Sequence, residues 1–389
     1  MGTRGAERLV GAVAVANQLT AAVLLGGRAR SVHHRDSRRV RQWVGMCCLA
    51  VIIASAGCAR REGDASSSRS GEAASNVVVY SSADKEFAEL IFRAYEQRTG
   101  VKVLPLYDTE ETKTAGLTAR LLAEKDHPRA DVFWSSDTSR AVALVEQGAA
   151  DAYIPREAAG IADRYRSATG LWTGFAARIR VFLYNTDRVT AGDAPRSILD
   201  LAKPRWKGRF ALANPHFGTM SFHAAALFTK WGDARATTFF RALKANGAVI
   251  AAGNSDVKDR VADGRVDVGI LDEDDAVVAL RDKKPVALIV PDQDGPDALG
   301  TPLMPNAALL IHAAPHPGEA RKFIDFLTSA EAEQILAASD AAQYPLHAGA
   351  RGPELLPALG ALRLMDVDYA DVARKLPAMD AAIKTIFGL

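Results

Sequence analysis

The sequence predicts an α/β protein built as two lobes of parallel sheet. Three observations lead there. The chain has 389 residues with 48% hydrophobic content, enough for two cores. From Asn76 onward, short β-branched runs alternate with segments of helical periodicity. That alternation comes in two blocks, and strands separated by helices pair in parallel.

In the first block, Val77-Val78-Val79-Tyr80 predicts a buried strand. Phe87, Leu90, Ile91, Ala94 and Tyr95 then recur at helical spacing over Lys85 to Thr99, with Gly100 as the C-cap. Strands follow over 101–107 and 130–134, with helices over 117–125 and from 138 to about Gly148. In the second block, strands are predicted at 180–184, 210–213, 249–251, 266–271 and 287–290. Helices are predicted at 221–230 and 234–246, and again after Gly253 and after Asp272. A strand at 307–311 and helices at 318–327 and 331–338 return the chain to the first block. No repeat of 20 to 50 residues is present.

The N-terminus reads as an export signal. Arg38, Arg39 and Arg41 precede the apolar run Trp43 to Ala54, which is short for a membrane span. Ser55-Ala56-Gly57-Cys58 then resembles a bacterial lipobox, with Ser55 where leucine is usual, and makes Cys58 the expected lipidation site. Residues 1–57 are read as signal and leader, and 58–75, rich in Ser, Gly and charge, as a flexible tether. All three cysteines, Cys47, Cys48 and Cys58, lie before the body, so the body has no disulfide. The segment before Cys58 has eight arginines, no lysine and two acids, a balance of +6 that leaves the rest mildly acidic and argues against nucleic-acid binding.

A recurring device points to a ligand. Strands end in polar loops that open helices: Ser81-Ser82, Ser135-Ser136, the loop with Gly218-Thr219, Gly253-Asn254-Ser255, and Asp272 to Asp275. In open sheets, ligands sit beyond the carboxyl ends of the strands, and helix N-termini present free N–H groups. Ser81, Ser82, Ser135, Ser136, Gly218, Thr219, Asn254 and Ser255 are the candidate ligand-binding residues. The same residue types are also the preferred helix caps. Tyr80, Trp134 and Tyr184 read as core, His216 and His223 as possible ligand contacts, and His312, His316 and His347 as surface loop residues.

The ordered set Val79-Tyr80-Ser81-Ser82, Ala130 to Trp134, Tyr184 to Asp187, Pro204 to Gly208, Lys244 to Gly247, Asp267 to Gly269 and Pro305-Asn306 resembles periplasmic solute-binding proteins of the ferric-iron transport type. The resemblance covers about 76–348. It implies a type II periplasmic-binding-protein fold, with two Rossmann-like lobes, a hinge and a ligand cleft. Lobe 1 is expected over 76–175 plus about 300–350, and lobe 2 over 176–299 plus about 351–389. It also implies a monomer that delivers its ligand to an ABC importer permease. Iron-binding members place two tyrosines after the strand resembling Val266 to Leu271; this chain has Asp274 and Asp275 there. The matching positions in the first two loops are Asp84 and Asp137.

Asp84, Asp137, Asp274 and Asp275 are therefore the candidate metal ligands. Carboxylates are hard oxygen donors suited to Fe³⁺ and other hard cations. Acids at helix starts also serve the helix dipole. A phosphate- or phosphonate-bearing solute is the alternative ligand, and ligand sensing the alternative role. A metal hydrolase is a further alternative, but the chain has no His-Glu-x-x-His motif, Gly-x-Ser-x-Gly elbow or phosphate-binding Gly-Lys-Ser/Thr loop, and its His-x-x-x-His spacing, His312 to His316, carries Pro315 in place of a helical run.

Overall fold

The computed structural model describes residues 75–108 and 114–389. The expected signal segment, Cys58 and the tether up to Ala74 lie outside the described residues. The first sheet begins with β1 (Asn76–Ser81). Helix α1 (Lys85–Thr99) buries Phe87, Ile91, Phe92 and Tyr95 on one face. It stops at Gly100, whose left-handed φ of 72° lets its N–H close on the Glu96 carbonyl. Next come β2 (Lys102–Tyr107), α2 (Ala115–Ala123), β3 (Val132–Ser135), α3 (Thr138–Glu146) and the short β4 (Ala150–Asp151). Strand β1 lies between β2 and β3, parallel to both.

Strand β5 (Thr173–Asn185) is 13 residues long and buried throughout. Its apolar pattern predicts only 180–184, because Gly174 and Arg178 interrupt the front of the run. The structure extends it, because each half has its own partner. The second sheet then runs through β6 (Phe210–Ala213), α4 (Gly218–Trp231), α5 (Asp233–Ala245), β7 (Val249–Ala251), α6 (Asn254–Ala262), β8 (Val268–Asp272), α7 (Glu273–Arg281) and β9 (Val286–Ile289). Strand β6 is parallel to both β7 and β8. Strand β10 (Leu303–Ile311) returns to the first sheet, followed by α8 (Pro317–Leu327), α9 (Ala330–Ala338) and α10 (Tyr369–Phe387).

One long strand, β5, joins the two sheets. Residues Thr173 to Ile179 of β5 run antiparallel to β10, while Arg180 to Tyr184 run antiparallel to β8. Strand β10 in turn pairs with β3. The strand order is therefore β2-β1-β3-β10-β5-β8-β6-β7, and the expected lobe boundary near 175 falls inside β5.

Trp134 shows how tightly the first core is set. It is fully buried, meets Phe92 edge-on with ring centres 6.0 Å apart, and donates its indole N–H to Asn306 Oδ1 at 3.0 Å. Burial of a side chain this large stabilises by about 1.5–3 kcal/mol. Helix α10, which no periodicity argument placed in advance, packs on α4 and α5 of the second lobe and on α3 of the first.

Candidate functional site

The loops at the carboxyl ends of the strands meet in one small pocket. It is lined from the first lobe by Asp84 and Ser136, from β5 by Arg178, and from the second lobe by Gly218, Thr219, Asn254, Asp272, Asp274 and Asp275, among others. The free space amounts to about 20 Å³, little more than one water-sized sphere requires. A larger cavity of about 350 Å³ adjoins it and shares Asp84 and Asp275; Ser82, Asp108, Ser255 and Lys258 also line it.

The second-lobe wall is built around a buried arginine. Arg180 is fully buried, and its Nη1 donates to Asp272 Oδ1 at 2.7 Å, to Asn254 Oδ1 at 3.0 Å and to Thr219 Oγ1 at 3.3 Å. Thr219 Oγ1 and Asn254 Nδ2 both donate to Asp272 Oδ2, at 2.6 and 2.9 Å. Thr219 opens α4, Asn254 opens α6 and Asp272 precedes α7. One guanidinium thus gathers three helix N-termini at one point. Buried charges are tolerated only when paired and hydrogen-bonded in this way.

Arg178, two residues earlier on β5, faces the same side because strand side chains alternate. Its Nη2 donates to the Ser136 carbonyl at 3.1 Å, and its Nη1 lies 3.9 Å from Asp274 Oδ2. Asp274 is buried. Burial first, and then the charges of Asp275 and Asp272, push its carboxyl well above the ordinary range against the pull of Arg178. Glu273 beneath it is raised likewise by burial and by Asp274, with one oxygen accepting the Ile179 N–H at 2.7 Å. As placed, no group of three or more His, Cys, Asp or Glu side chains among the described residues is set to hold a metal ion.

The sequence candidates separate into three groups. Ser136, Gly218, Thr219, Asn254, Asp84, Asp274 and Asp275 line the pocket. Ser82 and Ser255 line the adjoining cavity, where Ser255 Oγ donates to Asp275 Oδ1 at 2.8 Å. Ser82 and Ser136 also tie the two first-lobe loops together, the Ser136 N–H reaching Ser82 Oγ at 2.8 Å. Ser81 and Ser135 turn inward instead: Ser81 Oγ accepts from the Ala83 N–H, and Ser135 Oγ donates to the Asp137 carbonyl. Asp137, also expected as a ligand, is not among the residues that line the pocket. It is buried, caps α3 through the Ser139 and Arg140 N–H groups, and lies 3.6 Å from Arg140 Nε.

His347 is a correction to the sequence reading. It is not a surface residue: its ring bonds Glu333 Oε2 at 2.7 Å and the Glu157 carbonyl at 2.8 Å. His223 is buried and is not among the residues that line the pocket. Arg178 and Arg180 were absent from the candidate list. Their signal was present, since two arginines at i and i+2 inside an apolar strand require buried partners.

Comparison with known families settles the class of the protein. The family described as bacterial extracellular solute-binding protein matches residues 77–339. The chain belongs to that family. This solute-binding protein is 28% identical over 306 residues to the Fe(3+)-binding periplasmic protein of Serratia marcescens, covering 77% of this chain and 86% of that one. Its fold is shared with iron-bound HitA from Pseudomonas aeruginosa, at a TM-score of 0.72 and 24% identity over 79% of this chain and 99% of the other. It is shared equally with AfuA from Actinobacillus pleuropneumoniae bound to fructose-6-phosphate, at a TM-score of 0.72 and 22% identity over 81% and 99%. The solute-binding protein therefore has the periplasmic-binding-protein fold expected from its sequence.

Proposed function

We propose that this protein captures a hard cation, iron(III) foremost, between its lobes and delivers it to the permease of an ABC importer. It acts as a monomeric binder and not as an enzyme. The observation that carries this reading is the set of four aspartates, Asp84, Asp272, Asp274 and Asp275, around a pocket of about 20 Å³ whose lining holds Arg178 as its cation. Asp272 is already neutralised by Arg180. Asp84, Asp274 and Asp275 also line the pocket, from loops of both lobes, so closing the lobes brings hard oxygen donors together. A bound cation also removes the repulsion that raises Asp274. The iron(III)-binding relative from Serratia supports the choice of metal; the aspartates in place of tyrosines make carboxylates the donors here.

A thermal-shift screen tests the reading, using iron(III) nitrilotriacetate, Mn²⁺, Ca²⁺, inorganic phosphate and alkylphosphonates. A probe present at 100 times its Kd adds about 2.7 kcal/mol of stability. The metal shift is expected to disappear in Asp274→Asn/Asp275→Asn. A metal shift that survives this change would remove those residues from the site. The second reading is a phosphate- or phosphonate-bearing solute. The N-termini of α4 and α6 reach the same pocket beside Arg178, and such ends favour anions. A shift with phosphate or phosphonate and none with metals would select it. Turnover of a phosphate ester would instead make the protein a hydrolase.

The export signal and Cys58 support a lipid anchor at the cell envelope. Metabolic labelling with an alkyne fatty acid is expected to mark the wild-type chain and to be lost in Cys58→Ser.

A further inference from the structure

Arg140 stands on α3, four residues after Ser136 has contributed to the pocket. Its side chain is 13% exposed and leaves the first lobe. Nη2 donates to the His216 carbonyl at 2.7 Å and to Ser221 Oγ at 3.0 Å. These partners bracket Phe217, Gly218 and Thr219, which line the pocket from the second lobe. Asp380 of α10 completes the contact, with its Oδ1 2.9 Å from His216 Nδ1 and 3.7 Å from Arg140 Nη2. Helix α10 is held to the second lobe by Lys375 to Asp233 at 2.9 Å and by Lys244 to the Ile386 carbonyl. Behind the guanidinium, buried Asp137 faces Arg140 Nε, and neither Asp137 Oδ2 nor Arg140 Nε has a hydrogen-bond partner. This ion pair on the first-lobe side orients the side chain toward the opposite lobe.

We propose that Arg140 is a positioning residue that latches the two lobes across one wall of the cleft, with Asp380 and the loop ahead of α4 as its catch. Asp137, expected from the sequence as a ligand, aims the latch instead. The arrangement uses Arg for a physical reason. A guanidinium presents donors in a fixed fork that reaches several acceptors at once, which an ammonium on a flexible stem does not. The latch biases the lobes toward the closed arrangement and slows ligand escape without touching the ligand. This rests on the reading that the cleft closes over a solute.

The test compares the full chain with Arg140→Gln, Arg140→Lys and Asp380→Asn. Small-angle X-ray scattering of the unliganded proteins reads lobe separation, and stopped-flow release of iron(III) nitrilotriacetate and of inorganic phosphate reads escape. All three variants are expected to show a larger radius of gyration than wild type, with Arg140→Lys failing to restore it. Release of whichever probe binds is expected to quicken about tenfold, the loss of one charge-assisted hydrogen bond. Asp380→Asn keeps the Asp137–Arg140 pair, so it separates latch loss from damage to α3. Larger radii with neither probe bound would keep the latch and reject the proposed cargo. Bound probe with unchanged radii and unchanged release in every variant would overturn the latch and leave the cargo reading standing.

Discussion

Acidification below pH 6.5 is expected to destabilise this protein through His223 by up to about 1.4 kcal/mol per pH unit. His223 is buried on α4, and burial first, then the neighbouring charge of Arg180, lower its pKa to about 3. The folded state keeps the ring neutral, while the unfolded chain protonates it near pH 6.5. The stability this neutrality represents is therefore complete above pH 6.5. It is lost as pH falls toward the folded value, by roughly 2 kcal/mol between pH 6.5 and 4.5. Asp274 and Glu273 act in the opposite sense, because their raised pKa values favour the folded state as they take up protons. The measurement must therefore be a difference. Urea unfolding of wild type and His223→Gln at both pH values is expected to show the gap between them shift by about that amount, with wild type losing more. Parallel losses would mean that the ring is not held neutral.

Replacing Arg180 by methionine is expected to cost about 3–5 kcal/mol, since it strands the Asp272 carboxylate in the interior. The loss goes beyond one ion pair. Asp272 would keep its bonds from Thr219 and Asn254 but would lose the cation that makes its charge tolerable. For a chain of this size, each kcal/mol moves Tm by roughly 2 °C, so a fall of about 6–10 °C follows. Adding Asp272→Asn to Arg180→Met is expected to recover part of that fall, because the amide needs no counter-charge. No recovery would mean that Arg180 matters through its packing and its bond to the Ile270 carbonyl. The two predictions share an origin: the pocket wall is assembled on charges already out of water, so its stability depends on which of them are paired.

The elements themselves were largely legible in the chain. β6 and β7 occupy the residues that their apolar runs marked, and α1 ends at the glycine that its periodicity required. Local pattern suffices there because strand and helix periods are written in consecutive residues. β5 was not legible at full length, since pairing with two different sheets sustains a strand through Gly174 and Arg178, which break its apolar run. Helix α10 escaped for a related reason. Pro377 interrupts its pattern, and its buried face is defined by three helices from distant parts of the chain.

The sequence by itself determined the alternation of strand and helix, and which loops would carry polar residues at helix starts. Only the tertiary structure decided which of those residues meet. Asp84, Asp274 and Asp275 share a pocket, whereas Asp137, identical in chemistry and also at a helix start, turns back to its own helix and to Arg140. A cap and a ligand look alike along the chain because both are an oxygen beside unpaired N–H groups. They differ in what stands across the gap, and that is set by the packing of the two lobes.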